Sequence, residues 1–168
     1  MEHSVKDKLN EKAYELINLP YIEFGYGDID FFDKSTIDSG QAGFRYNSLT
    51  NETINEWVGD DYVIIGYDSV AGCGPDPYIV KTSDPKLPVY WLMTDGGDWA
   101  NPDFVCDNLE TFNKIINMLK TYENYFSHCE LNEKIKQEII NKICDIEGKK
   151  LISDYWDHLL DCAMPFED

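Results

Sequence analysis

Residues 62–99 read YVIIGYDSVAGCGPDPYIVKTSDPKLPVYWLMTDGGDW, from Tyr62 to Trp99. Three short runs rich in apolar, β-branched and aromatic residues (Tyr62–Tyr67, Tyr78–Thr82, Val89–Met93) are separated by Gly-, Pro- and Asp-rich breaks. That is the pattern of successive strands in one sheet. The stretch holds no histidine, no nucleophile elbow, no phosphate loop and no metal-ligand spacing. It reads as a scaffold with an acidic surface, which suits a binding protein better than an enzyme.

Working outward, residues 21–40 mix aromatics with Asp and Gly and predict short strands and turns. Within them Asp28, Ile29, Asp30 and Phe31 alternate as acid-out, apolar-in positions of a strand. The run fails as an EF-hand: counted from Asp28, the fifth position is Phe32 and the sixth Asp33, where an oxygen ligand and a glycine are needed. Residues 42–47, AGFRYN, read as a further strand carrying Arg45, the only arginine of the chain. Among so many carboxylates its guanidinium is expected in a bidentate ion pair that fixes sheet geometry.

Helical patterning flanks the strands. Ser4 can cap a first helix with Val5, Leu9, Ala13 and Leu16/Ile17 on one face, ended by Pro20. Residues 107–125 form the clearest helix, with Asp107 and Glu110 at capping-box spacing and Leu109, Phe112, Ile115/Ile116, Leu119 and Tyr122 on one face. A second begins near Ser127 and Glu130, runs along Leu131, Ile135, Ile139, Ile143 and Ile146, and stops at Gly148. A last one carries Ile152, Tyr155, Trp156 and Leu159/Leu160. One α+β domain over residues 1–168 follows, with a mixed, mostly antiparallel sheet and helices packed on one side.

Charge is the strongest global signal. The chain of 168 residues has a formal net charge of −18. Residues 21–107 hold 16 acids against 4 bases, a net of −12. Such a surface repels phosphate backbones and attracts basic partners, so nucleic acid is not an expected ligand. Apolar runs are too short for a membrane span and residues 1–20 lack a signal-peptide core, so a cytoplasmic location is expected. Five cysteines (Cys73, Cys106, Cys129, Cys144, Cys162) without a CxxC suit reduced, buried thiols.

Signals for catalysis are weak. His3, His128 and His158 lie away from the Gly/Asp-rich centre, and only a distant pairing of His128 or His158 with Cys73 could build a nucleophile. With 32 acids, some carboxylate pair will always meet glycosidase spacing, which makes that signal unspecific. The glycines of YDSVAGCG match no nucleotide-binding pattern. No cofactor and no metal are expected. TDGGDW differs in kind: Gly96 and Gly97 permit a tight return that leaves Asp95 and Asp98 around Trp99, either an acidic, aromatic rim for a basic partner or a core plug with capping aspartates.

The ordered set Gly43-Phe44-Arg45-Tyr46, Trp57 with Val63-Ile64-Ile65-Gly66-Tyr67-Asp68, Asp76-Pro77-Tyr78-Ile79-Val80, Pro88-Val89-Tyr90, Asp95-Gly96-Gly97-Asp98-Trp99 and Asn108-Leu109-Glu110-Thr111-Phe112 resembles the SUKH superfamily. This is a group of bacterial immunity proteins that also includes fungal cell-wall assembly regulators. The resemblance covers roughly residues 42–120 and leaves 127–168 as a helical addition. It departs at Pro75, Lys81 and Asp95, where the family carries a glycine, an acid and a histidine. It implies a non-enzymatic protein that binds and neutralises a cognate toxin. The acidic surface adds that such a toxin would be basic. Asp60, Asp61, Tyr67, Asp68, Asp76, Asp95, Asp98 and Trp99 are the candidate contacts, with Arg45, Gly66, Gly96 and Gly97 structural. The alternatives are a regulatory scaffold for a housekeeping partner and, last, a carboxylate-based hydrolase.

Overall fold

Six strands follow one another as a meander: β1 (Ile22–Phe24), β2 (Gly27–Phe31), β3 (Tyr62–Asp68), β4 (Asp76–Lys81), β5 (Val89–Trp91) and β6 (Asp103–Cys106). Sheet order equals chain order and every neighbouring pair is antiparallel, so the sheet is antiparallel throughout rather than mixed. The computed structural model describes residues 5, 8–54, 57–72, 74–95, 99–150 and 152–165.

Alternation sorts the side chains between two faces. Val63 and Ile65 of β3, Tyr78 and Val80 of β4, and Val89 and Trp91 of β5 enter the main core, while Ile64, Ile79 and Leu92 enter a second, smaller cluster behind the sheet. The main core takes the apolar stripes of α1 (Glu11–Ile17), α2 (Leu109–Lys120), α4 (Glu133–Glu147) and α5 (Asp154–Cys162), so the helices cover one face. The short α3 (Glu123–Ser127) closes the β1 edge, where Phe126 stacks on Phe24 at 4.5 Å and its carbonyl accepts the Gly25 N–H at 3.1 Å. Ile139 and Ile143 of α4 and Tyr155, Trp156, Leu159 and Leu160 of α5 share one cluster with Val63 and Val80. The C-terminal helices are thus built into the core, not appended to it.

Helix ends largely follow the signals, displaced by a residue or more. Asn108, not Asp107, caps α2, its side chain accepting the Thr111 N–H at 2.8 Å. The helix read over 107–125 breaks into α2 and α3, and α4 begins after the Asn132 cap rather than near Ser127. Gly148 ends α4 in the left-handed region at φ 66°, which glycine enters without steric cost. At the N-terminus α1 begins at Glu11 behind an Asn10 cap, and the Ser4 cap falls outside the described residues.

The strand expected over 42–47 does not form. Residues 42–47 make turns and two isolated bridges, with Gly43 at φ 90°. Instead this region lies against the outer face of the sheet and supplies two buried polar plugs. Gln41 donates from Nε2 to the Ile64 carbonyl at 2.9 Å and accepts the Ile64 N–H at 3.0 Å. Arg45 is 2% exposed and donates from Nη1 to the Tyr62 carbonyl at 2.9 Å and from Nη2 to the Asp60 carbonyl at 3.3 Å. Its only ion pair among the described residues is a 3.4 Å contact with Asp60, whose side chain is 92% exposed. The bidentate pair is therefore corrected to a clamp on backbone carbonyls, packed against Tyr46 and Trp57.

One irregularity decides what faces where. β3 carries a bulge: Ile64 opposes Ile79, Gly66 opposes Tyr78, and Ile65 is the extra residue. An extra residue inverts the alternation beyond it. Tyr67 consequently turns outward and Asp68 inward. Gly66 sits at the inversion; a Cβ there would lie about 3.0 Å from Phe31 Cα and closer still to the Asp30 carbonyl oxygen.

Candidate functional site

The eight candidate contacts do not form one surface. Asp60 and Asp61 lie at the start of β3, where Asp61 accepts Ser83 Oγ–H at 2.6 Å and its carbonyl accepts the Thr82 N–H at 2.7 Å. Asp95 is exposed beyond β5. Trp99 is half-buried and packs on the second cluster beside Trp57 and Leu92, which fits the core-plug alternative. Asp98, Gly96 and Gly97 fall outside the described residues.

Asp68 and Asp76 are corrected: both are fully buried and cannot meet a partner surface. They oppose each other across the β3–β4 ladder and organise the adjoining loops. Asp68 Oδ1 accepts the Val70 N–H at 2.6 Å and the Ala71 N–H at 3.2 Å, and Oδ2 accepts the Tyr155 hydroxyl at 3.0 Å. Tyr155 in turn bonds the Tyr78 hydroxyl. Asp76 Oδ1 accepts Thr94 N–H and Oγ1–H, both at 2.6 Å, while its Oδ2 has no hydrogen-bond partner among the described residues. Burial pushes the Asp68 carboxyl up to about 6, against the pull of its three donors and with the Asp76 charge adding to the rise.

Tyr67 alone of the central candidates belongs to a coherent outer patch, and its neighbours come from β1 and β2. Its hydroxyl donates to Asp30 Oδ2 at 3.3 Å. Asp28 and Asp30 project from β2, whose Ile29 points into the core, and Glu23 stands directly opposite Asp28 on β1. Tyr21, 46% exposed, borders the same acids. Burial first, then the charges of Asp28 and Asp30, raises both phenols, so each stays a protonated donor among acceptors. Like charges opposed across a ladder destabilise the sheet. Among the described residues no lysine or arginine forms an ion pair with Glu23, Asp28 or Asp30; Lys120, at the edge, pairs with Glu123 and donates to the Tyr21 carbonyl. The alternation of GDID and the aromatics around it were readable signals. Their proximity to Tyr67 depends on the bulge.

The cysteine–histidine pairing has no activated nucleophile behind it in the described residues. His158 Nε2 donates to the Ala71 carbonyl at 2.7 Å, and Cys162 Sγ lies 3.8 Å from the same nitrogen. Burial, then the Asp68 and Asp161 charges, raises the Cys162 thiol, which holds it as S–H. Cys73 falls outside the described residues. Cys106 is buried with its thiol pushed up to about 12, whereas Cys129, Cys144 and Cys162 are half-buried. Among the described residues no group of three His, Cys, Asp or Glu side chains could hold a metal ion, and no helix is long and apolar enough to cross a membrane.

The fold and this surface define an α+β protein whose antiparallel meander carries helices on one face and an acidic, tyrosine-bearing patch on the other. No family model matches the chain, and neither a curated protein nor a solved structure is significantly similar to it.

Proposed function

We propose that this is a cytoplasmic binding protein of SUKH type that neutralises a basic toxin domain by direct contact, without catalysis. The observation that carries the reading is the outer patch: Glu23 faces Asp28 with Asp30 beside them, and no cation among the described residues pairs with them. A basic partner relieves that repulsion on docking, and Tyr21 and Tyr67 supply aromatic contact area beside it. The charge of −18 steers such a partner toward the surface from a distance.

Co-purification with the product of the neighbouring toxin gene, at low and at high salt, tests the proposal. A stoichiometric complex is expected, loosening as salt rises, with the association rate falling about tenfold or more in an Asp28→Asn/Asp30→Asn variant. No complex at low salt, or a complex indifferent to both salt and the double substitution, defeats the reading.

A further inference from the structure

A cleft of about 570 Å3 opens between β5, β6 and the first turn of α5, lined by Trp91, Phe104 and Tyr155 together with Asp103, Ser153, Asp154 and His158. That volume lies within the range of small-ligand sites. Its walls are aromatic: Trp91 and Tyr155 are buried, with ring centroids 5.4 Å apart, and Phe104 is 40% exposed. Asp103 and Asp154 are the carboxylates among its lining residues, both exposed; no lysine or arginine lines it, and the Lys149 ammonium stands over the Phe104 ring. His158 presents its Nε2–H to the Ala71 carbonyl, which leaves Nδ1 as an acceptor when the ring is neutral.

Two lining residues also keep polar atoms without partners among the described residues. Trp91, 2% exposed, has no acceptor for its Nε1–H. Ser153 occupies the cap position of α5, yet its side chain makes no cap hydrogen bond and its buried Oγ has no partner. Folded proteins satisfy nearly all such buried groups, so two left open in the wall of one cleft call for an explanation. The chain itself shows what the exposed ring attracts: the Lys149 ammonium lies 5.6 Å from the centre of the Phe104 ring, held by Asp107.

We propose that this cleft binds a guanidinium-bearing ligand, stacked on Phe104, the exposed ring of its wall, and paired with Asp103 and Asp154. A guanidinium suits the site better than an ammonium because it is planar, sheds water more readily, stacks on rings and donates to two carboxylates at once. The inference stands apart from the toxin reading, because it uses neither the outer patch nor any of its residues.

The test follows the indole N–H signals by NMR while Nα-acetyl-arginine amide is added to the full chain, with Trp91→Phe assigning the Trp91 signal. A saturable shift of Trp91 is expected, at least fivefold tighter than for Nα-acetyl-lysine amide and absent for Nα-acetyl-glutamine amide. Asp103→Asn/Asp154→Asn changes exposed side chains only and should weaken binding at least tenfold while leaving the melting temperature within a few degrees. Free arginine distinguishes the source. Tighter binding of the amide points to a side chain of a protein, because the aspartates repel a free carboxylate; tighter binding of free arginine points to a metabolite. No saturable shift, equal binding of the glutamine amide, or binding unchanged in the double variant overturns the proposal.

Discussion

Replacing Asp68 by Asn isolates the cost of holding a carboxylate inside this fold. The side chain is fully buried, and its carboxyl rises from 3.8 to about 6 on folding. A group whose folded pKa is raised stabilises the protein while protonated; that contribution is present below the unfolded value and lost as pH climbs through the folded one. Over the whole titration the loss is about 3 kcal/mol, of which about 2.4 kcal/mol falls between pH 4 and pH 7. Asn is neutral throughout and can keep the Val70 and Ala71 N–H bonds. Its amide would donate to Tyr155, which reverses the Tyr155–Tyr78 bond and leaves one hydroxyl proton unpaired, at about 1 kcal/mol. The variant is therefore expected to be about 0.5 kcal/mol less stable than the wild type at pH 4 and about 2 kcal/mol more stable at pH 7.5. Urea unfolding followed by tryptophan fluorescence at half-unit steps of pH gives the difference directly. Most of its rise should fall between about pH 4 and 6. Tyr155→Phe, which removes a donor from the ionised form, should move the wild-type inflection upward. A difference that stays flat across the range would show that folding leaves the Asp68 carboxyl unshifted, and one that turns against the variant as pH rises would show that the ionised Asp68 stabilises the fold; either would refute the reasoning.

Arg45→Lys should cost about 2–3 kcal/mol in urea unfolding, because one ammonium cannot serve both the Tyr62 and Asp60 carbonyls while packing on Trp57. A cost below about 0.5 kcal/mol would mean that the clamp is dispensable. Gly66→Ala forces a Cβ against the Asp30 carbonyl and Phe31 and should cost about 2 kcal/mol or more, whereas Gly148→Ala, strained only by its φ of 66° with open space around it, should cost about 1 kcal/mol. Equal melting temperatures for the two glycine variants would contradict the close approach at the bulge.

What could be read from the chain divides along a physical line. Strong local patterns survive folding: the three strand runs of residues 62–99, the apolar stripes of α2, α4 and α5, and the Gly148 stop all reflect interactions within a few residues. β6, only Asp103–Cys106, escaped notice because four residues with a register shift against β5 show no clean period. The errors at the site have long-range causes. Arg45 looked like half of an ion pair because composition counts carboxylates, while the structure places its guanidinium against carbonyls contributed by residues 60 and 62. Asp76 was legible after all: it shares a parity with Tyr78 and Val80, both of which point into the core. Asp68 was not. Strict alternation from Ile64 places it on the outer face, and only the extra residue at the bulge reverses it. The same reversal carries Tyr67 outward to Asp30, so a single inserted residue both buries the acid that looked exposed and completes the patch that faces solvent. Gly66 is where the reversal is permitted, since any side chain there would strike the neighbouring strand. Five of the acids of residues 21–107 thus act in two ways: Asp68 and Asp76 order the loops after β3 and β5 from inside, and Glu23, Asp28 and Asp30 stand together on the outside. Of these five acids, only the outer three can meet a partner.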